Sequence, residues 1–354
     1  MNGVKQSTNK KVYIILVNYN NWKDTLNCLE SLLNINYNNY QLVVVDNFSS
    51  NDSFEKMLEW ARGLLPPKKY IDPHAPTKIV PSRKPLNYLI YSAEEAVKGG
   101  IPNLERSTQN PIVFIKSPFN GGFSFGNNLG IKYALKKGDG QYILLLNNDT
   151  VVTPNFLKEM IQKCEIQPRI GIVGCKILSY QDPKRIVFNG GRFNLLTGRV
   201  VHLTKEINKD FSYFNFITGA CMLIKPELFY AVGLLNEEFF MYCEDLEFCY
   251  KAIKAGYFLV VAHNSTIFHK VGSSSGEESS PFAVHSIVQN HLRFFSKINS
   301  PLKIITIVLF ITIKLLSCIK WLLKKRPDLA RATIQGLIDW FKKDILRKLR
   351  LSLT

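Results

Sequence analysis

Four short runs of residues carry the side chains with which this sequence could do chemistry. Asn18-Tyr19-Asn20, Asp46-Asn47 and Asn147-Asn148-Asp149 each close a continuous apolar run. A carboxylate at such a place suits the ribose or base edge of a nucleotide, or a divalent cation holding a diphosphate. The fourth run, Phe239-Phe240-Met241-Tyr242-Cys243-Glu244-Asp245-Leu246-Glu247-Phe248-Cys249, sets three carboxylates within four residues among aromatics. On a helix Asp245 shares a face with Cys249, and Glu244 with Phe248. Apolar neighbours desolvate a carboxylate and raise its pKa towards use as a general base. The same pattern also suits a plain helix N-terminus, whose dipole favours acids. His269 follows an apolar run and precedes Lys270-Val271-Gly272, whereas His263, His285 and His291 have no motif around them.

The elements that must position these groups are legible around them. Val12–Val17 and Leu42–Val45 read as strands buried on both faces. Between them Leu26, Leu29 and Leu33 recur at helical spacing. Strand, helix and strand in about 35 residues make a βαβ unit and hence a parallel sheet. Ile112–Ile115 and Tyr142–Leu146 continue the sheet, with a Gly-rich turn at Asn120–Gly122 and a helix from about Asn127 to Lys136. Pro154 reads as the start of a further helix. Later elements are strands at Ile172–Ile177, Met222–Ile224 and Phe258–Ala262, and helices at Glu244–Ala255 and 282–299. In such α/β sheets ligands bind outside the carboxyl ends of the strands, where the first three polar runs fall. Turn-forming Asp and Asn provide the plainer explanation of each run alone.

Two segments stand apart. Residues 61–111 hold half of the chain's 16 prolines and read as an excursion from the sheet with one short helix, Ala93–Lys98. Residues 272–281 are rich in Ser and Gly and read as a mobile loop. The chain of 354 residues carries a net charge of +17, and residues 301–354 supply +9 of it. The basic partner surface therefore belongs mainly to the tail. Ile304–Leu323 has about the length of a bilayer span. Lys314 and Lys320 within it favour an in-plane amphipathic helix with snorkelling lysines, beside the basic stretch Lys324-Lys325-Arg326. The seven cysteines form no C-x-x-C pair and read as buried residues of a reducing compartment. The polar N-terminus, with no export signal ahead of Val12, reads as a disordered 1–10 segment of a cytoplasmic protein.

Taken in order, several motifs resemble the family-2 inverting glycosyltransferases, most nearly the rhamnosyltransferase-like group of surface-polysaccharide biosynthesis. They are Val17-Asn18-Tyr19-Asn20, Val45-Asp46-Asn47-Phe48-Ser49-Ser50-Asn51-Asp52-Ser53, Asn120-Gly121-Gly122-Phe123 with Gly126-Asn127-Asn128-Leu129-Gly130, Leu146-Asn147-Asn148-Asp149, Thr218-Gly219-Ala220, Phe239 to Asp245, and Phe268-His269. The resemblance covers about residues 11–275. It implies a GT-A fold over 11–299, with a nucleotide half to about 150 and an acceptor half beyond it, followed by basic membrane-associating helices over 300–354. It further implies that Asn18, Tyr19, Asn20, Asp46, Asn120, Asn127, Asn147 and Asn148 line the site of a nucleotide diphosphosugar. Asp149 and His269 are then ligands of a Mg²⁺ or Mn²⁺ ion, with Asn147 standing where many relatives carry a first Asp. Asp245 matches the general base, and Glu244 its support. The acceptor is a saccharide or a polyprenyl-diphosphate-linked chain, which agrees with attachment to the inner, anionic face of a membrane.

Other classes fit less well. A processive synthase needs several spans and a Q-x-x-R-W motif, which Gln289-Asn290-His291-Leu292-Arg293-Phe294 does not supply. A sugar nucleotidyltransferase needs a Gly-rich first loop with Arg, where this chain has Asn-Tyr-Asn-Asn. An inactive nucleotide-sugar- or glycan-binding protein of the same fold need not keep Asp149 and Asp245. Nucleic-acid binding lacks a groove-reading motif.

Overall fold

A computed structural model describes residues 10–109, 111–207, 212–270 and 280–346. The expected mobile loop at 272–281 and disordered N-terminus lie almost wholly outside these described residues.

The chain opens with β1 (Val12–Asn18), α1 (Trp22–Leu33), β2 (Tyr40–Asp46) and α2 (Ser53–Arg62). β3 (Tyr88–Ser92), α3 (Ala93–Val97), α4 (Pro102–Ser107), β4 (Ile112–Lys116), α5 (Gly122–Lys137) and β5 (Tyr142–Leu146) follow. Next come β6 (Thr150–Val152), α6 (Phe156–Glu165), β7 (Ile170–Ser179), β8 (Ile186–Phe188), β9 (Gly191–Asn194), β10 (Arg199–His202) and β11 (Tyr213–Phe214). β12 (Cys221–Ile224), α7 (Pro226–Val232), α8 (Glu244–Lys254) and β13 (Phe258–His269) complete the sheet region. Three α-helices follow, α9 (Pro281–Lys297), α10 (Lys303–Leu323) and α11 (Pro327–Trp340), and a π-helical turn at Phe341–Leu346 ends the described chain.

The main sheet runs β11-β13-β7-β12-β5-β1-β2-β4-β3, with β6 joined to β13 and β8 to β7. β5, β1, β2, β4 and β3 are mutually parallel, and β12 enters antiparallel between β5 and β7. Every residue of β5 is buried, as are all but one of β1. That is the burial on both faces that continuous apolar runs demand. Because β5, β1 and β2 are neighbours, Asn18, Asp46 and the Asn147–Asp149 run emerge side by side.

Two expectations need correction here. The segment 61–111 is not wholly an excursion, because Tyr88–Ser92 returns to the sheet as an edge strand beside β4. Its earlier part is tied down by Glu30 on α1, a fully buried carboxylate. Glu30 accepts hydrogen bonds from Trp60 Nε1 (2.8 Å), Tyr70 Oη (3.1 Å), the Ser82 amide (2.8 Å) and Lys84 Nζ (2.8 Å). A buried charge persists only when paired in this way. The second correction concerns α5, which starts at Gly122 and not near Asn127. Gly122 has φ of +80°, and a Cβ there would lie 2.1 Å from the Phe240 carbonyl oxygen. Only glycine lets the helix begin so close to the segment that joins α7 and α8, and the Phe123 amide donates to the same carbonyl at 2.7 Å.

The chain divides into two compact units. The first, built on the sheet, holds the described residues up to 191 with 202–240 and 244–270. The second holds 192–201, 241–243 and the described residues from 280 on. Within the second unit α9, α10 and α11 pack on one another around Phe294, Phe295 and Phe310, and Thr306 Oγ1 donates to the Leu195 carbonyl at 2.8 Å. Most of α10 outside this stripe is exposed and apolar, from Ile304 (74% exposed) and Val308 to Leu316 and Leu323. Lys314 departs from the snorkelling expectation. Its ammonium lies 5.0 Å from the Phe310 ring, on the packed stripe of the helix.

Candidate functional site

The carboxyl end of β1 begins a continuous hydrogen-bonded chain of polar side chains. Asn148 Nδ2 donates to Thr25 Oγ1 (2.8 Å), which lies 2.8 Å from Asn18 Oδ1. Asn18 Nδ2 donates to Asp46 Oδ1 at 2.8 Å, and Ser49 closes the run with its hydroxyl to Oδ1 (2.6 Å) and its amide to Oδ2 (3.1 Å). Asn18 is fully buried, so its amide orients Asp46 from beneath. Asn20 holds the other wall: with φ of +55°, its Oδ1 accepts from the Ser50 amide at 2.8 Å. Tyr19 is 40% exposed at the rim.

The remaining expected donor-site residues divide. Asn120 Oδ1 accepts from Asn47 Nδ2 (2.9 Å) and the Gly122 amide (3.1 Å), fixing the start of α5 against the β2 end. Asn127 is buried, and its amide donates to Phe123 within its own helix at 2.9 Å. Asn147 Nδ2 lies 3.4 Å from His269 Nε2. Thr25 and Ser49 join the network although no role was expected of them. Their signal is a Thr in the first turn after the strand and a Ser three residues past the Asp.

Asp149 and His269 are far apart in sequence but meet through strand pairing. β6 starts one residue after Asp149 and runs antiparallel to β13, with Thr150 opposite His269. Asp149 Oδ1 and His269 Nε2 are consequently 3.0 Å apart. One hard carboxylate oxygen and one imidazole nitrogen suit Mg²⁺ or Mn²⁺, which complete their shells with water or phosphate oxygens. No group of three or more His, Cys, Asp or Glu able to hold a metal occurs among the described residues. Lys270, next in the chain, pairs with Asp24 at 2.7 Å.

The carboxylates of α8 are held differently. Cys221 of β12 pairs with Leu146 of β5, which carries the preceding Thr218-Gly219-Ala220 beside the Asn147–Asp149 run. The Asn147 amide donates to the Ala220 carbonyl at 3.0 Å, and the Gly219 amide to Asp245 Oδ2 at 2.9 Å. A Cβ at Gly219 would lie 3.4–3.5 Å from the Phe123 ring and Asp245 Cβ, in ordinary contact, so Gly219 packs closely against both. The Leu246 amide donates to Asp245 Oδ1 at 2.8 Å. Asp245 is partly exposed, and burial raises its pKa while the Gly219 and Leu246 amides pull it back. Glu244 is 5% exposed, and its Oε2 accepts no hydrogen bond from the described residues. Burial first, and then the Asp245 charge, push the Glu244 carboxyl well above its usual range. Both carboxyls of this adjacent pair are thus shifted upwards, Glu244 the more strongly.

Comparison with known proteins places this arrangement. A family model described as glycosyl transferase family group 2 matches residues 142–325, and one described as glycosyl transferase family 2 matches residues 13–74. The chain belongs to the family 2 glycosyltransferases. Among relatives of this glycosyltransferase, the low-salt glycan biosynthesis hexosyltransferase Agl10 of Haloferax volcanii is 32% identical over 153 residues (41% of this chain, 47% of that one). The rhamnosyltransferase WbbL of Escherichia coli K12 is 25% identical over 190 residues (50% and 65%). The N-acetylglucosaminyl-diphospho-decaprenol L-rhamnosyltransferase of Mycobacterium tuberculosis is 22% identical over 162 residues (41% and 52%). The chain thus spans only about half to two thirds of these relatives' lengths. Of solved structures, GalNAc-T7 with UDP, GalNAc and Mn²⁺ superposes with a TM-score of 0.56 at 15% identity (84% of this chain, 50% of that one). The mannosyltransferase PcManGT of Pyrobaculum calidifontis, with GDP-Man and Mn²⁺, gives 0.54 at 10% (96% and 89%). The family 2 glycosyltransferase has the expected mixed α/β GT-A fold, with its mostly parallel sheet flanked by helices.

Proposed function

We propose that the chain transfers a sugar from a nucleotide diphosphosugar to a hydroxyl of a saccharide or lipid-linked acceptor, with inversion at the anomeric carbon. The donor is dTDP- or UDP-linked, and the rhamnosyltransferases among the relatives favour rhamnose. The observation that carries this reading is the Gly219 contact. It brings a carboxylate with a raised pKa to the loop beside the Asn147–Asp149 run.

In this reading Asp46, oriented by Asn18 and Ser49, takes the ribose or base edge of the donor. Asp149 and His269 would hold Mg²⁺ or Mn²⁺, which when bound neutralises the departing diphosphate. Asp245 accepts the proton of the acceptor hydroxyl as that oxygen bonds to the anomeric carbon. The bond from that carbon to the diphosphate breaks, and its electron pair leaves with the diphosphate. A neutral Glu244 leaves the negative charge on Asp245, where the proton is taken.

The apolar face of α10 supports attachment to an anionic membrane. This helix is long and apolar enough to cross a bilayer, with a mean hydropathy of 2.1. Its packed stripe against α9 and α11 supports an in-plane position at the cytoplasmic surface, where a polyprenyl-linked acceptor is presented. Replacing Ile304, Val308 and Leu316 by Ser should abolish co-sedimentation with vesicles containing phosphatidylglycerol. Retained binding would contradict this placement.

The test of the transfer reading is a panel of dTDP- and UDP-linked sugars with membrane lipid extract as acceptor. At least one donor should release nucleoside diphosphate, EDTA should stop it, and Mg²⁺ or Mn²⁺ should restore it. Full activity in excess chelator would remove the metal from the account.

A further inference from the structure

The two residues before Glu244 adopt a backbone that side chains disfavour. Tyr242 and Cys243 have φ of +70° and +80°, neither being glycine. A residue with a Cβ in the left-handed region crowds its own carbonyl, and two in succession persist only where surrounding contacts hold them. One such contact comes from α9. Asn290 is 4% exposed, and its Nδ2 lies 2.9 Å from the Met241 carbonyl oxygen and 3.1 Å from that of Tyr242. A side-chain amide has two N–H donors, so it can serve both carbonyls at once. Arg293 Nη1 donates to Asn290 Oδ1 at 3.3 Å, which turns the NH₂ end of the amide towards the turn.

We infer that Asn290 is a positioning residue: it clamps the left-handed Tyr242-Cys243 turn, the backbone that continues directly into Glu244 and Asp245. The inference rests on the assignment of Asp245 as general base. Asn290 touches no reacting atom in this account and acts only through the backbone that ends at Cys243. The turn can have no slack, because a carboxylate displaced by about 1 Å costs on the order of 10² in rate. Glycine at Cys243 would adopt the same backbone without the Cβ penalty, so the turn would then depend less on the clamp.

Four variants in the full chain test it: Asn290→Ala, Asn290→Asp, the double variant Asn290→Ala with Cys243→Gly, and Asp245→Asn as reference. Nucleoside diphosphate release is measured with dTDP- and UDP-linked sugars and membrane lipid extract, donor affinity by calorimetry, and folding by thermal melting. Asn290→Ala should lower kcat about 10–100-fold with donor affinity unchanged. Asn290→Asp keeps shape and the bond to Arg293 but loses both donors, so it should fall as far. Cys243→Gly in the Ala background should recover at least several-fold of the loss. Wild-type kcat in Asn290→Asp overturns the clamp, as does a loss confined to the folded fraction or to donor affinity. A double variant no faster than Asn290→Ala also overturns it. If Asp245→Asn retains full kcat, the base assignment fails on its own, whatever Asn290 shows.

Discussion

Asp46 and Glu244 are buried to almost the same degree, at 6% and 5% exposure, yet their surroundings have opposite character. Around Asp46, Asn18 and the amide and hydroxyl of Ser49 all donate to the carboxylate, and Thr25 and Asn148 extend the chain behind them. Around Glu244 one buried carboxyl oxygen accepts no hydrogen bond from the described residues, and burial together with the neighbouring Asp245 charge opposes ionisation. Burial alone therefore does not decide what a carboxylate can do. The donors around it do. A carboxylate ringed by donors is fixed in orientation with acceptor capacity left for a ligand, whereas a buried carboxyl short of donors beside a second carboxylate has its pKa raised.

The contrast can be broken from either side. A large effect is expected at Asp149 and His269, the pair proposed to hold the metal. Asp149→Ala removes the sole carboxylate of the Asn147–Asp149 run and should lower turnover on the order of 10²–10³-fold, with weaker Mn²⁺-dependent binding of UDP or dTDP by calorimetry. Asn18→Ala leaves Asp46 and Thr25 without a shared partner deep in the sheet. It should cost about 1–3 kcal/mol of stability and reduce donor affinity roughly tenfold, with kcat at saturation little changed.

pH sharpens the comparison. Asp245 must be ionised to accept a proton, and its pKa is raised by burial from the usual 3.8. Turnover should therefore fall as pH drops through a limb lying above the ordinary Asp range, and Glu244→Gln should leave that limb in place. The smallest effect is on stability. A carboxyl whose folded pKa exceeds its unfolded value of 4.5 stabilises the fold at low pH, and that contribution is lost as pH rises from the unfolded pKa through the folded one. Glu244→Gln should accordingly melt ~2 °C higher than wild type at neutral pH and show no gain near pH 3. A lower melting temperature at neutral pH would mean that Glu244 is held as the charged form.

The sequence made one of these regions more legible than the other. Val12–Val17 and Tyr142–Leu146 read as strands because sheet strands buried on both faces leave unbroken apolar runs. Their polar ends then marked Asn18, Asp46 and Asp149 directly. The helical start at Glu244 was equally plain from its acids and aromatics. Missing from that reading were features made by long-range contact. Tyr88–Ser92 is a short strand among prolines, and its sheet partner β4 lies beyond two intervening helices. The start of α5 at Gly122 runs against helix propensity, because room beside the Phe240 carbonyl outweighs it. The Tyr242-Cys243 turn left no trace, since neither residue type favours a positive φ. Thr25 and Ser49 were visible as letters but acquired meaning only when β1 and β2 were seen paired in register.

The central claim is that donor recognition and proton acceptance reside in different carboxylates. It is tested most directly by measuring donor affinity and turnover together for Asp46→Ala and Asp245→Asn. Asp46→Ala should weaken donor binding at least tenfold. Asp245→Asn should bind donor like wild type while turnover falls about 10²–10⁴-fold, the usual share of general-base catalysis. Loss of donor binding in Asp245→Asn, with turnover per bound donor unchanged, would contradict the account and move that carboxylate into the nucleotide site.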